Sequence, residues 1–349
     1  MSRLKTVILS SRIVQFLFGL LFSLIISETL LNFTSVNATT AFTELCLNKA
    51  HLSEDSQYTI SILLENSKQP DCETSARYLS QKKELDLSGT AIKDLTPLSS
   101  FKQLTALYLA DNQISDITPI ASLTNLEKLE LSNNQISNLT ALSKMDNLKT
   151  LWMWNNKVRN LTPLSSLRSL TRLYLPFNQI SNLKPLSSLS NLQVLILDNN
   201  KISQVSSLSS LYQLRGLSLI NNKIEKIDEL GKLENIKTLI APDNQISDIS
   251  FLTQLPQLSL LILDKNNISD ITPLSSLSNL EKVYLSNNKI KDITPLSYLN
   301  NLSYIELSHN HIIDVSSLAL LTKLTNLTLS NNPLQNLTCP INPDSICKF

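Results

Sequence analysis

The residues with the richest chemistry in this chain are few, and most stand at regular intervals. Its only histidines are His51, His309 and His311, and its only cysteines are Cys46, Cys72, Cys339 and Cys347. His309 and His311 bracket an asparagine, and alternate residues of a strand share a face, so the two imidazoles can meet one ion. Two ligands without a third make a weak zinc site, and surface histidine is the plainer reading. Asp248, Asp270, Asp292 and Asp314 recur every 22 residues. Stacked about one strand spacing apart, ~5 Å, they would form a column of the oxygen ligands that Ca²⁺ takes. Asn138, Asn160 and Asn182 fill the equivalent position in other repeats without any charge, and both residue types cap turns, so we expect turn caps and no metal. No Ser/His/Asp, Cys/His or paired-carboxylate set stands out from the periodic background. The four glycines (Gly19, Gly89, Gly216, Gly231) cannot assemble a loop that cradles phosphate. The expectation is a non-catalytic chain with no cofactor.

Recognition chemistry is better represented. Both tryptophans, Trp152 and Trp154, sit two residues apart, and what positions them is a repeat. Leu107-Tyr108-Leu109-Ala110-Asp111-Asn112-Gln113-Ile114 recurs as Leu129 to Ile136 and as Leu195 to Ile202. The asparagines fall at Asn112, Asn134, Asn156, Asn178, Asn200, Asn222, Asn244, Asn266, Asn288, Asn310 and Asn332, each 22 after the last, with Thr90 in the same register ahead of them. This gives twelve coils over 82–337, the first of them atypical, as a terminal repeat should be. Within a coil, Leu107 and Leu109 alternate with the period of a strand buried on one face. Asn112 marks where the chain turns away; one carboxamide both donates and accepts, which suits a turn that leaves backbone polar groups inside. From Ile114 to Leu123 the apolar residues fall three apart around Pro119, which suits a short 3₁₀ turn and is too brief for an α-helix. The apolar burial of one coil is smaller than the ordering entropy of its residues, so coils must stack.

The unit L-x-L-x-x-N-x-I-S-D-I-T-P-L-S-S-L resembles the 22-residue class of leucine-rich repeats found in bacterial internalins. Plant receptor-type repeats would show G-x-I-P after the asparagine, and none is present. The resemblance implies an α/β, right-handed curved solenoid with a parallel sheet on its concave face, 3₁₀ or irregular segments on its convex face, and use as a protein-recognition surface. No wall-sorting motif or extra domain follows the repeats, so attachment to a cell wall is not expected.

Both ends of such a stack expose apolar coil. Residues 39–81 lose the repeat and read as a helical cap. Ser53 opens a run in which Tyr58, Ile60, Leu63 and Leu64 are expected on one face, and Asp71 caps a second helix through Leu79. Residues 338–349 form the other cap. Two cysteines at each end of an exported chain suggest two local disulfides, Cys46 with Cys72 and Cys339 with Cys347. Export itself is read from residues 1–38: Arg3, Lys5 and Arg12 precede an apolar run from Ile13 to Ile26, and Val36-Asn37-Ala38 offers small residues for signal-peptide cleavage. The rival is an uncleaved N-terminal anchor, which is the only membrane contact expected. Either way the destination is secreted, periplasmic or otherwise extracytoplasmic.

The same register places the residues flanking each leucine pair on the concave face. Those expected to meet a partner are Tyr108, Trp152, Trp154, Tyr174, Phe177, Ile196, Ile220, Ile240, Ile262, Tyr284 and Tyr304, with Lys128, Glu130, Arg172, Asp198, Asp264, Lys282 and Glu306 expected beside them to exclude wrong partners. Stacking along the ladder, with no partner at all, is the bland alternative. With 30 basic and 29 acidic residues the chain has no field for nucleic acid. A monomer that binds a protein is expected. The alternatives are a glycan-binding or cell-envelope adhesin using the same rings, or a regulatory subunit of an enzyme, as in intracellular phosphatase-binding members of this repeat class.

Overall fold

The computed structural model describes residues 40–349, and the leader read at 1–38 lies outside them. Thirteen strands, β1 to β13 in chain order, form one open, curved, all-parallel sheet in which every strand pairs with its sequence neighbours. Among them are β1 (Glu84–Asp86), β3 (Lys128–Glu130), β4 (Thr150–Trp152), β5 (Arg172–Tyr174), β7 (Gly216–Ser218), β8 (Thr238–Ile240), β10 (Lys282–Tyr284), β11 (Tyr304–Glu306), β12 (Asn326–Thr328) and β13 (Cys347–Lys348). Pairing is in phase at the 22-residue period, so Leu85 faces Leu107, Leu107 faces Leu129, and so on to Ile305 and Leu327. Each repeat strand, β1 to β12, is three residues long and centred on the first apolar position of the Leu-x-Leu unit of its coil, such as Leu129 in β3, while β13 has two residues. The convex wall carries one 3₁₀ segment in each of the first eleven coils, such as Thr118–Ser122 with Pro119 at its start, closed by Leu123 N–H on Ile120 O at 2.9 Å. Leu107, Leu109, Ile114, Ile117, Ile120, Leu123 and Leu126 are all buried between these two walls, and the same seven positions recur coil after coil. The expected right-handed solenoid is the fold observed.

The N-terminal end is covered by a helical segment at 40–47 and by α1 (Glu54–Ser67) and α2 (Cys72–Gln81). Ser53 Oγ accepts from Ser56 N–H at 3.2 Å, and Asp71 Oδ1 accepts from Thr74 N–H at 2.8 Å, satisfying first-turn donors that have no intrahelical partner. The expected α1 face needs one correction. Ile60 and Leu63 are buried and Leu64 is half-buried, but Tyr58 is exposed and its hydroxyl donates to Thr90 O at 2.9 Å. Residues two apart on a helix point to nearly opposite sides, so Tyr58 cannot share the side of Ile60. Phe42 fills the interior instead, 5.4 Å from the Phe101 ring. Both disulfides form as expected: Cys46–Cys72 ties the first helical segment to α2, and Cys339–Cys347 closes the other end. One feature was not read from the sequence. Cys347 and Lys348 form β13, which pairs with β12 in a 20-residue step and covers the last repeat strand.

Candidate functional site

The asparagine column fixes how accurately this sheet can present side chains. Asn222 is representative: its Nδ2 donates to Leu219 O and Ile220 O in its own coil at 3.2 Å each, and to Leu197 O of the preceding coil at 3.1 Å. Its Oδ1 accepts from Ile202 N–H, also in the preceding coil, at 3.0 Å. The sequence reading assigned the carboxamide to its own turn. The structure adds that each one bolts two coils together, and the pattern repeats from Asn112 to Asn332. A second column was missed: Asn125, Asn147, Asn191, Asn235, Asn279 and Asn301 each donate to a carbonyl 23 residues earlier. Its signal was present, an asparagine one residue before the last leucine of many coils, but nothing local demands one there. The bond exists only once coils stack.

On the concave face the register aligns Tyr108, Trp152, Tyr174, Ile196, Ile240, Ile262 and Tyr284 in one row, each half-buried, interrupted by Glu130 and Ser218. Tyr304 lies in the row on the N-terminal side of the leucines, while Trp154 and Ile220 lie beyond the strand ends. The eleven expected contact residues thus share one surface but occupy several rows. The aromatic rings cluster at two places. Trp152 on β4 stacks on Tyr174 of β5 with centroids 5.8 Å apart and planes 9° from parallel. Tyr284 on β10 stacks on Tyr304 of β11 at 4.8 Å.

Phe177 departs furthest from what folding requires. The residue before each ladder asparagine adopts left-handed φ, from Asp111 at 57° to Asn331 at 61°, and the column otherwise consists of Asp, Asn, Lys and His. Asparagine and aspartate tolerate that region, whereas a bulky aromatic does not. Phe177 has φ 53° and is 55% exposed, close in sequence to Tyr174 and one coil after the 40%-exposed Trp154. It also breaks a chain of side-chain hydrogen bonds: Asn133 donates to Asp111, and Asn155 to Asn133, before the column reaches Phe177.

The acids expected to flank this surface have internal partners. Asp198 Oδ1 accepts from Ser218 Oγ at 2.6 Å and Ile220 N–H at 2.9 Å, and Asp264 Oδ1 accepts from Ser286 N–H at 2.7 Å. Burial pushes the Asp198 carboxyl above its ordinary value despite these bonds, and burial with the nearby Glu306 charge does the same for Asp264. Glu306 is half-buried, which would raise it, but donors from Ser308 and Ser286 outweigh that and hold it low. Besides any partner they would flank, these acids link neighbouring strands. Lys128, Arg172 and Lys282 do stand exposed.

The other candidates resolve as local chemistry. Asp248, Asp270, Asp292 and Asp314 each accept from the backbone N–H two residues on at 2.8 to 2.9 Å, as Asn138 and Asn160 do. His309 is exposed and its Nε2 lies 3.1 Å from Asn331 Nδ2. Among the described residues no three His, Cys, Asp or Glu side chains converge as a metal cluster, and no helix is long and apolar enough to cross a membrane.

The family model for leucine-rich repeats in two copies matches residues 83–122, 124–166, 168–210 and 256–298. The chain is similar to the internalin InlF of Listeria monocytogenes, at 25% identity and a TM-score of 0.71 over 80% of this chain and 90% of that one. It is similar in fold to the functional domain of InlJ from the same species, at 22% identity and a TM-score of 0.54 over 75% and 70%. It also shares the fold of the Arabidopsis thaliana receptor-kinase ectodomain GASSHO1/SCHENGEN3, solved in complex with CASPARIAN STRIP INTEGRITY FACTOR 2, at 21% identity and a TM-score of 0.52 over 72% and 38%. No curated protein matches the chain.

Proposed function

The chain is a leucine-rich-repeat protein of the 22-residue, internalin-like class, and we propose that it is an exported, non-catalytic protein that binds a protein partner on its concave face. The observation that carries this reading is the surplus apolar surface on the strands around Trp152. The interior is filled by the leucines, so Trp152, Trp154 and Phe177 are not needed to build it. Aromatic residues left in the open on a rigid wall are the type that most often dominates binding energy. The Arabidopsis ectodomain of the same fold was solved in complex with CASPARIAN STRIP INTEGRITY FACTOR 2, which supports the use of such a scaffold for recognition. Two disulfides and the basic-then-apolar leader support export.

The test compares the wild-type chain with a Trp152→Ala/Trp154→Ala double variant in cross-linking capture from the native secreted fraction, alongside a glycan array. Both side chains are at least partly exposed, so the variant should fold. Loss of capture corresponding to about 2 kcal/mol or more per tryptophan is expected. Undiminished capture would place the site elsewhere, and sugar binding abolished by the same substitutions would replace the protein partner with a glycan.

A further inference from the structure

The whole chain is almost neutral, with a net charge of +1, yet its charges are not spread evenly over the concave wall. From β3 to β8, the two positions immediately before the first leucine of each strand carry Lys128, Lys149, Arg172, Arg215 and Lys237 against a single carboxylate, Glu127. All five cations are exposed. Lys149 is held by Glu127 at 2.8 Å, while Arg172, Arg215 and Lys237 make no ion pair or side-chain hydrogen bond among the described residues. Over the same strands Glu130 interrupts the apolar row, Asp198 lies beyond its strand end on the side away from this margin, and Glu234 lines the same hollow as Arg215 and Lys237. Asp198 is bonded to Ser218 and Ile220, and Glu130 accepts from Ser132 N–H at 2.8 Å. The side of the strands that precedes the leucines therefore carries more cations than carboxylates, along a margin parallel to the apolar row.

From this charge distribution we infer that the occupant of the concave face is an acidic protein segment, one whose carboxylates meet Arg172, Arg215 and Lys237 while its apolar side chains lie along Trp152, Tyr174 and Ile196. The inference rests on the concave-face reading above and specifies its partner. Five strand spacings separate β3 from β8, about 24 Å, which ~7 residues of extended chain span. Guanidinium and ammonium groups on such a rim steer an oppositely charged chain and reject a basic one. A polyanionic glycan would satisfy the cations equally well. It has little to offer Ile196, Ile240 and Ile262, whose aliphatic side chains neither stack on sugar rings nor bond hydroxyls, and so a polypeptide is the better fit.

The experiment is selection of random peptides of about 12 residues on the purified chain, repeated on Arg172→Glu/Arg215→Glu/Lys237→Glu and on Trp152→Ala/Trp154→Ala, with heparin binding measured in parallel. The wild type should enrich peptides that combine Asp or Glu with aromatic or aliphatic residues. Those peptides should bind the charge-reversed chain at least about tenfold more weakly, and their wild-type affinity should fall as salt is raised. Enriched pools without acidic bias, or acidic peptides indifferent to charge reversal, overturn the inference; if those pools still fail on the tryptophan variant, the concave site itself survives. Peptides that bind all three chains alike sink both. Heparin binding that reversal abolishes, with no peptide enriched, assigns the margin to a glycan and overturns it as well.

Discussion

At the residue scale, two columns of side chains answer different demands. The ladder asparagines serve stability. Replacing Asn222 by alanine leaves Ile202 N–H without a partner in a buried site and removes one donor each from Leu197 O, Leu219 O and Ile220 O, which keep Asn200 Nδ2, Asn244 Nδ2 and Asn199 N–H respectively. The unsatisfied N–H costs about 1–3 kcal/mol and each bond lost from a carbonyl that keeps another donor costs less, so a loss of roughly 3 kcal/mol is expected in urea unfolding. Asn332, in the last repeat, is only part-buried, and Asn332→Ala should cost clearly less. An equal cost at both positions would mean the column does not work through burial. Phe177 serves something else. Its left-handed backbone disfavours an aromatic by ~1–2 kcal/mol, and asparagine relieves part of that while offering Asn155 a hydrogen-bond donor. Phe177→Asn should therefore raise stability by about 0.5–1 kcal/mol and weaken partner capture. A variant that is less stable, or that binds as well as wild type, would remove Phe177 from the site.

At the element scale, the N-terminal cap is docked through Asp94. Its carboxylate accepts from Ser56 of α1 and, at 2.6 and 2.9 Å, from Thr96 Oγ1 and N–H, while Thr59 Oγ1 donates to Asp94 O at 2.8 Å. Burial alone would raise the Asp94 pKa, but the Ser56 and Thr96 donors outweigh it and hold the group below its ordinary range. A depressed carboxylate contributes stability above its unfolded pKa, and that contribution fades as pH falls through the lower folded value. Thermal melts between about pH 6 and pH 3 should thus show a shallower acid decline for Asp94→Asn than for wild type, because the amide keeps an acceptor for Thr96 and does not titrate. Identical slopes would show that the cap is not held by this charge. The far end uses a different device, a disulfide and an edge strand in the same short segment, and only the former was legible. Two residues carry too little pattern to announce a strand; pairing with β12 creates it.

At the scale of the whole molecule, each coil touches only its neighbours, so the solenoid is nearly one-dimensional. Deleting residues 195–216 removes one full period and joins Val194 to Leu217 in phase. The shortened chain should fold, unfold cooperatively and retain its strand signal by circular dichroism. Deleting two residues fewer should not fold equally well, since every later leucine would lose its register. If both deletions behave alike, in-phase stacking is not what holds the chain together. Such strict phase is also why so much was readable beforehand. A leucine at Leu107 faces inward because Leu85 and Leu129 do, and the repeat states that twelve times over; strands, 3₁₀ turns, buried positions and the surplus of Trp152 and Trp154 all follow from sequence spacing. Tertiary structure decided what spacing cannot encode, namely which coil each side chain bonds. The reach of Asn222 into the coil before it, the inward bonds of Asp198 and Asp264, the outward turn of Tyr58 and the unpaired margin at Arg172, Arg215 and Lys237 depend on contacts between residues about 20 to 35 apart, and such contacts exist only once the coils are laid together.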